Sequence, residues 1–377
     1  MTRVSTFGLA AALLALATSG VAAQGTLSTQ GLGYPPGQLS TPAITMGGAI
    51  GEIDPFSPIN PAALGLMTSP IVFFQAEPEY RQLRIGGKMF RSSVMRFPVF
   101  VGGLPLGERW WIGISASTLL DRTWETTTPD TQFVGTDTLA GRITDRSEGS
   151  IADLRFALAY APAGWLRIGV AGHAYSGRDV LRTIHTFEDS SFAGTLQSST
   201  LSFGGNAITV GAQTVWPKFG TLGFSYRHGG TLHVYDASDA VIGTGSVPDH
   251  IGVSFAYLGL RGATLAARAA KDKWSDTQGV TSNGNIHEGW DVGIGGDVTG
   301  PRFGGSPIAF RLGGRWRTLP FSISSAPVKE RTVSGGVGLP FASGRVELHV
   351  GLLRASRTSG NTSEGAWTIS TGFGIRP

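Results

Sequence analysis

The chain has 377 residues, among them 56 Gly, 20 Phe, 9 Trp and no Cys, with a formal charge of +4. A mean hydropathy of +0.07 is too polar for a bundle of membrane helices, so a membrane protein of this composition has to be a barrel. The lack of cysteine excludes a disulfide framework, thiolate metal sites, a cysteine nucleophile and a lipidated N-terminal Cys, and the small charge with no dense Lys/Arg run argues against a nucleic-acid partner.

In chain order, Arg3 precedes the apolar run Leu9 to Ala17, and Val21-Ala22-Ala23 puts small residues at a cleavage site before Gln24. Residues 1–23 therefore read as a signal peptide for export, because the run is shorter than the ~20 residues a spanning helix needs. Residues 24–69 differ in kind. They are rich in Gly, Pro, Ser and Thr, show no sustained alternation, and carry only Glu52 and Asp54 as acidic side chains. Ile50, Ile53, Phe56, Ile59, Leu64, Leu66 and Met67 favour burial, and Asn60-Pro61-Ala62-Ala63-Leu64 reads as a capped helical turn with Asn60 as N-cap and Pro61 at the first position. A compact plug explains more of this segment than a disordered arm does.

From about Ile71 onward the dominant period is two, the mark of strands with unlike faces. Trp290, Val292, Ile294 and Val298 share one face and Asp291, Gly293, Gly295 and Asp297 the other. Ile308, Phe310, Leu312 and Trp316 oppose Arg311, Gly313 and Arg315; Val346, Leu348, Val350 and Leu352 oppose Glu347, His349 and Gly351; and Trp367, Ile369, Phe373 and Ile375 oppose small residues. A soluble β-sandwich alternates too, so the connections have to discriminate. Short turn candidates near 106–109, 161–164, 216–220, 258–262, 299–306 and 340–344 alternate with longer polar stretches near 123–148, 178–199, 228–249, 271–288, 318–331 and 354–365, plus a shorter one near 86–92. This is the short-periplasmic, long-extracellular rhythm of a transmembrane antiparallel β-barrel, over residues 70–377, with about fourteen strands and both ends periplasmic. Tryptophan supports the orientation: Trp110, Trp111, Trp165 and Trp216 fall beside proposed inner turns, and Trp124, Trp274, Trp290, Trp316 and Trp367 toward outer loops, as two interfacial girdles require.

The run Asp54-Pro-Phe-Ser-Pro-Ile-Asn-Pro-Ala-Ala-Leu64, between the export signal and the first strand, resembles the hatch motif of the long-chain fatty acid (FadL-type) outer-membrane transporter family, whose fourteen-stranded barrel is closed from within by an N-terminal hatch carrying Asn-Pro-Ala. Ser334 to Phe341, Arg345 to Leu353 and Glu364 to Phe373 are also similar to the last strands of distant members. The resemblance implies an all-β barrel plugged at 24–69, with Asp54, Phe56, Asn60, Pro61 and Ala62 as hatch and gate residues. It implies passive transport of hydrophobic small molecules, fatty-acid-like or aromatic, across the outer membrane of a Gram-negative-type bacterium. The solute would be caught among outer loops and leave sideways through the wall or past the hatch. Phe187, Phe192, Leu196 and Leu201 in one loop, and Leu232, Val234, Tyr235, Val241 and Ile242 in another, are candidate contacts, or equally pack on each other to stabilise long loops.

The charged face is assigned to the lumen: Asp153, Arg155, Arg167, His173, Arg227, Arg268, Asp291, Asp297, Arg311, Arg315 and Glu347. A structural charge network accounts for it better than a serine, histidine and acid constellation. Asp249 and His250 are adjacent in a strand and so point to opposite faces, which disfavours a catalytic pair. Neither a Gly-x-Ser-x-Gly elbow, a His-Glu-x-x-His motif nor a phosphate-binding Gly loop occurs, so no enzyme, metal or cofactor is expected. The expected partners are an apolar solute and membrane lipid, with the protein as a monomer. Two alternatives stay open: a structural or secretion-accessory barrel whose outer loops bind a protein, and a general porin.

Overall fold

The computed structural model of the chain describes residue 27 and residues 32–85, 88–134, 137–280, 286–303, 306–321 and 326–377; the expected signal peptide lies outside them. Its strands are β1 (Ile71–Ile85), β2 (Lys88–Arg96), β3 (Val99–Leu106), β4 (Trp110–Asp121), β5 (Trp124–Val134), β6 (Asp137–Ala163), β7 (Leu166–Phe187), β8 (Thr195–Trp216), β9 (Gly220–Tyr235), β10 (Val241–Ser246), β11 (Asp249–Leu260), β12 (Ala263–Lys273), β13 (Gly289–Phe303), β14 (Ser306–Thr318), β15 (Lys329–Phe341), β16 (Val346–Ser359) and β17 (Thr362–Ile375). Three staves of the barrel are each interrupted, β2/β3 at Phe97-Pro98, β4/β5 at Arg122-Thr123 and β10/β11 at Val247-Pro248, so the segments make fourteen antiparallel staves. Pairing of β1 with β17, from Val72↔Ile375 to Arg84↔Ser363, closes the cylinder and puts both of its ends on one rim.

The alternation read from sequence sorts the side chains as expected. Trp290, Val292, Ile294, Val298, Phe310, Leu312, Trp316, Leu352, Trp367 and Ile369 face outward and are exposed in the isolated chain, whereas Gln75, Glu79, Arg81, Arg268 and Arg315 are buried inside. An apolar exterior around a charged interior inverts a soluble protein and fits hydrocarbon.

Two expectations need correction. Much of the chain assigned to outer loops is strand: 123–148 is mostly the β5–β6 hairpin, paired from Trp124↔Ser147 to Val134↔Asp137, and only residues 188–194 separate β7 from β8. Those stretches are Thr-, Ser- and Asp-rich and solvated on both faces, so they show no hydrophobic alternation although their backbones pair in regular antiparallel ladders. The 27 residues of β6 reach about 90 Å at ~3.3 Å per residue, several times the ~25 Å apolar band. Nor do all the tryptophans form girdles. Trp111 points inward, is buried, and donates its indole N–H to the carbonyl of Met67 at 2.8 Å; Trp274 is buried in a 3₁₀ turn against Phe321. Trp110, Trp165, Trp216, Trp290, Trp316 and Trp367 remain outward.

Candidate functional site: the filled lumen and the split wall

Residue 27 and residues 32–67 lie inside the barrel, between the outer rim and the start of β1. At the outer end, the backbone N–H of Leu27 donates to Glu364 Oε2 at 2.8 Å. Helix α1 (Thr41–Thr45) follows, with Ser40 as N-cap and Pro42 in its first turn. Asp54 ties two turns of the segment together, accepting from Ser40 Oγ (2.5 Å), Ser57 Oγ (2.6 Å) and the N–H of Phe56 (3.3 Å). Burial pushes its carboxyl up, and the two serine hydrogen bonds only partly offset this. The phenyl of Phe56 stacks on Phe73 at 4.7 Å. Asn60 caps the 3₁₀ turn Pro61–Leu66 as the sequence suggested: its Oδ1 accepts from Ala62 N–H at 3.0 Å while its Nδ2 donates to the carbonyls of Glu52 (2.7 Å) and Ala212 (3.1 Å). Pro61 and Ala62 lie flush against Gly169 and Asn60 against Gly211; a Cβ at either glycine would collide with this segment.

The lumen charges form two belts around this core. In the lower belt Glu52, fully buried, pairs with Arg268 at 2.8 Å and accepts from Ser254 Oγ at 2.5 Å. Burial raises its pKa, but Arg268 and His250 outweigh that and hold it at about 2. Arg268 reaches on to Asp291 (2.6 Å), which Arg315 grips through two bonds of 2.8 and 2.7 Å. Arg227 lies 3.5 Å from Asp272, and His250 Nδ1 2.9 Å from the same carboxylate. Asp249, pointing the other way, accepts instead from Gly229 N–H. His173 sits between Asp153 and Thr209, 2.8 Å from each, and Gln38 Nε2 donates to Asp153. This acid–histidine–hydroxyl alignment is tied to the inner segment through Gln38, with Asp153, His173 and Thr209 all buried. Arg167 donates to the carbonyl of Gly65 at 2.9 Å; Arg311 approaches His349 at 3.2 Å and stands opposite Asp297 in register; Glu347 pairs with Arg376 at 2.5 Å. Arg155 is the exception, its Nε and Nη1 buried without a hydrogen-bond partner among the described residues. No group of His, Asp or Glu suited to a metal occurs among the described residues.

The upper belt escaped the sequence reading. Arg357 bonds Glu79 (3.1 Å), Glu330 (2.6 Å) and Glu364 (2.5 Å), and Arg96 bonds Glu79 (3.1 Å) and Asp121 (2.6 Å). Glu79 had a signal, the alternation of Gln75, Glu77, Glu79 and Arg81 with Val72, Phe74 and Tyr80. Glu330, Arg357 and Glu364 had none, lying in stretches read as loops.

Beside the upper belt the wall splits. Among the described residues β2 pairs only with β1, and β5 only with β6. Among the described residues the two staves come together lower down, at Val99↔Ser117, and the N–H of Thr118 donating to the carbonyl of Pro98 is the last backbone bond between them. Pro98 has no N–H to extend the ladder, and Arg122 turns its own N–H to Gly149 on the far side. On the lumen side of the split, Tyr34 exchanges two backbone bonds of 2.8 Å with Asp121. Toward the outer rim an apolar body packs in the lumen, including Leu32, Leu119, Leu120, Phe203, Leu232, Val234 and Trp274. Of the candidate loop contacts, Leu201 packs against this body, Phe187 meets Phe192 edge-on at 6.1 Å, Leu196 is exposed and Tyr235 neighbours His233.

No family profile and no curated protein sequence matches the chain. Solved structures do. A FadL homologue of Pseudomonas aeruginosa superposes with a TM-score of 0.64 at 13% identity, covering 91% of this chain and 99% of the other. The Pseudomonas putida toluene transporter TodX gives 0.61 at 14%, covering 93% and 99%, and the Ralstonia pickettii toluene transporter TbuX gives 0.59 at 14%, covering 93% and 100%. The resemblance seen in the sequence thus holds at the level of fold: the chain has the FadL-type barrel.

Proposed function

We propose that the chain is a distant FadL-type outer-membrane channel that lets hydrophobic small molecules cross passively, with residues 24–69 as a hatch. The observation that carries this reading is the split between β2 and β5 next to a filled lumen. A solute that loses about 0.8 kcal/mol per CH₂ on exposure to water gains from a sideways exit into lipid and has no use for an aqueous pore. The apolar body around Leu119, Leu120 and Phe203 offers it a dry entry, and the hatch carrying Asp54, Phe56, Asn60, Pro61 and Ala62 denies the periplasmic route. The toluene transporters with this fold favour aromatic or other hydrocarbon cargo over sugars.

The test is flux into proteoliposomes of toluene, a long-chain fatty acid and a small sugar. Uptake of either hydrophobic solute without sugar supports the reading, and sugar flux through the intact chain overturns the hatch. The tall polar wall of β5 to β8 favours one second reading, an accessory barrel that binds a protein above the membrane; absence of flux for every solute would select it.

A further inference from the structure

The side chain of Tyr34 sits in a cage. It is 6% exposed, with the guanidinium carbons of Arg96, Arg357 and Arg317 at 4.7, 4.8 and 5.4 Å from its ring centre. Its hydroxyl donates to Glu330 Oε2 at 3.2 Å. None of the three arginines needs the ring for its charge. Arg96 is held by Glu79 and Asp121, Arg357 by Glu79, Glu330 and Glu364, and Arg317 by Glu330 at 3.6 Å and the carbonyls of Pro35 and Pro36. The cage is therefore a preorganised receptor for the negative face of an aromatic ring, with one carboxylate oxygen placed for a ring hydroxyl.

Its position gives it access to a solute. A cavity of about 50 Å³ adjoins the ring, bordered by Leu39, Glu77, Arg96 and Pro98, and Pro98 is where the split in the wall begins. Besides its hydroxyl bond to Glu330, Tyr34 is held to the wall by two backbone bonds to Asp121, and the carbonyls of Leu32, Pro35 and Pro36 accept from Arg122 and Arg317, on a stretch with Gly33 and Gly37 both at positive φ. Displacing this stretch costs these few hydrogen bonds but breaks no strand or helix.

We propose that this cage is a binding site for the ring of a monocyclic aromatic solute, best satisfied by a phenol, and that Tyr34 fills it as an internal ligand while solute is absent. The site deepens the channel reading and rests on it for its purpose, since arrival of a ring at the split would displace Tyr34 and free the passage. A cyclohexane ring of the same size has no quadrupole and gains nothing from three guanidinium groups.

The experiment uses the full chain in lipid nanodiscs, with phenol, toluene and cyclohexanol as probes. In Tyr34→Ala, phenol should bind at least tenfold more tightly than cyclohexanol, with toluene between them; equal affinities would reduce the cage to an apolar hole and overturn the proposal. A second measurement keeps Tyr34 in place. Cysteines substituted at Pro35 and Leu120, which the Tyr34–Asp121 bridge sets opposite each other, should form a disulfide more slowly in phenol than in cyclohexanol. An unchanged rate means that no ring exchanges with Tyr34, and overturns the proposal even if Tyr34→Ala fails to fold. Toluene flux through the wild-type chain, measured in parallel, separates the two claims: flux without ring preference removes the cage alone, and ring binding without flux removes the channel reading alone.

Discussion

Removing the charge of Glu52 should loosen the proposed hatch by about two orders of magnitude. Its carboxyl is fully buried and held at about 2 against an ordinary 4.5; burial alone would raise it, and the Arg268 ion pair with the His250 contact reverses the sign. At 1.36 kcal/mol per pH unit the difference corresponds to about 3 kcal/mol of attachment. A depressed acid contributes fully above its unfolded pKa, so the attachment is complete above pH 4.5 and fades as pH falls toward 2. Glu52→Gln should remove a similar amount at neutral pH, at the low end for a broken buried pair of ~3–5 kcal/mol, because Arg268 keeps Asp291 at 2.6 Å. About 3 kcal/mol is roughly a hundredfold in the released fraction. In planar bilayers the variant should show frequent open events at pH 7 that the wild type shows only in acid. If the variant at pH 7 is as silent as the wild type, and its thermal transition is unmoved, the pair does not hold the hatch and the reasoning fails.

Other outcomes follow from the same contacts. Deleting residues 24–69 should raise ion conductance in planar bilayers, and an unchanged value means that they do not obstruct the lumen. Gly211→Val puts methyls where the Asn60 side chain lies and should raise conductance while leaving heat-modifiable gel mobility, the sign of an intact barrel, unaltered. Oxidising the Pro35→Cys, Leu120→Cys pair should stop toluene uptake and reductant should restore it; the chain has no other cysteine to confuse the result. Trp111→Phe forfeits the 2.8 Å bond to Met67 and should lower the free energy of urea unfolding by about 1 kcal/mol, whereas Trp110→Phe on the lipid face should not.

The strands were legible where their two faces meet different solvents. In β13 and β14, Trp290 to Val298 and Ile308 to Trp316 alternate because one side meets hydrocarbon and the other the packed lumen, and the registers bear this out. Asn60 and Pro61 were legible because a cap is a local event, completed by the bond from Ala62 within two residues. The upper parts of β5 to β8 were not. Water bathes both faces there, so polar composition carries no period, and a ladder of backbone bonds leaves no trace in side-chain chemistry.

What the sequence determined by itself was the barrel and the presence of an irregular apolar segment ahead of the first strand, because solvent on each face and local capping act residue by residue. Only the tertiary structure decided that Glu52 belongs to Arg268, more than two hundred residues away, that Trp111 serves Met67, and that three arginines from separate staves converge on Tyr34. The split between β2 and β5 is of the same kind. Whether two neighbouring staves pair depends on where each bends, at Pro98 and Arg122, and on the partner each backbone then finds; closure of the whole cylinder sets both.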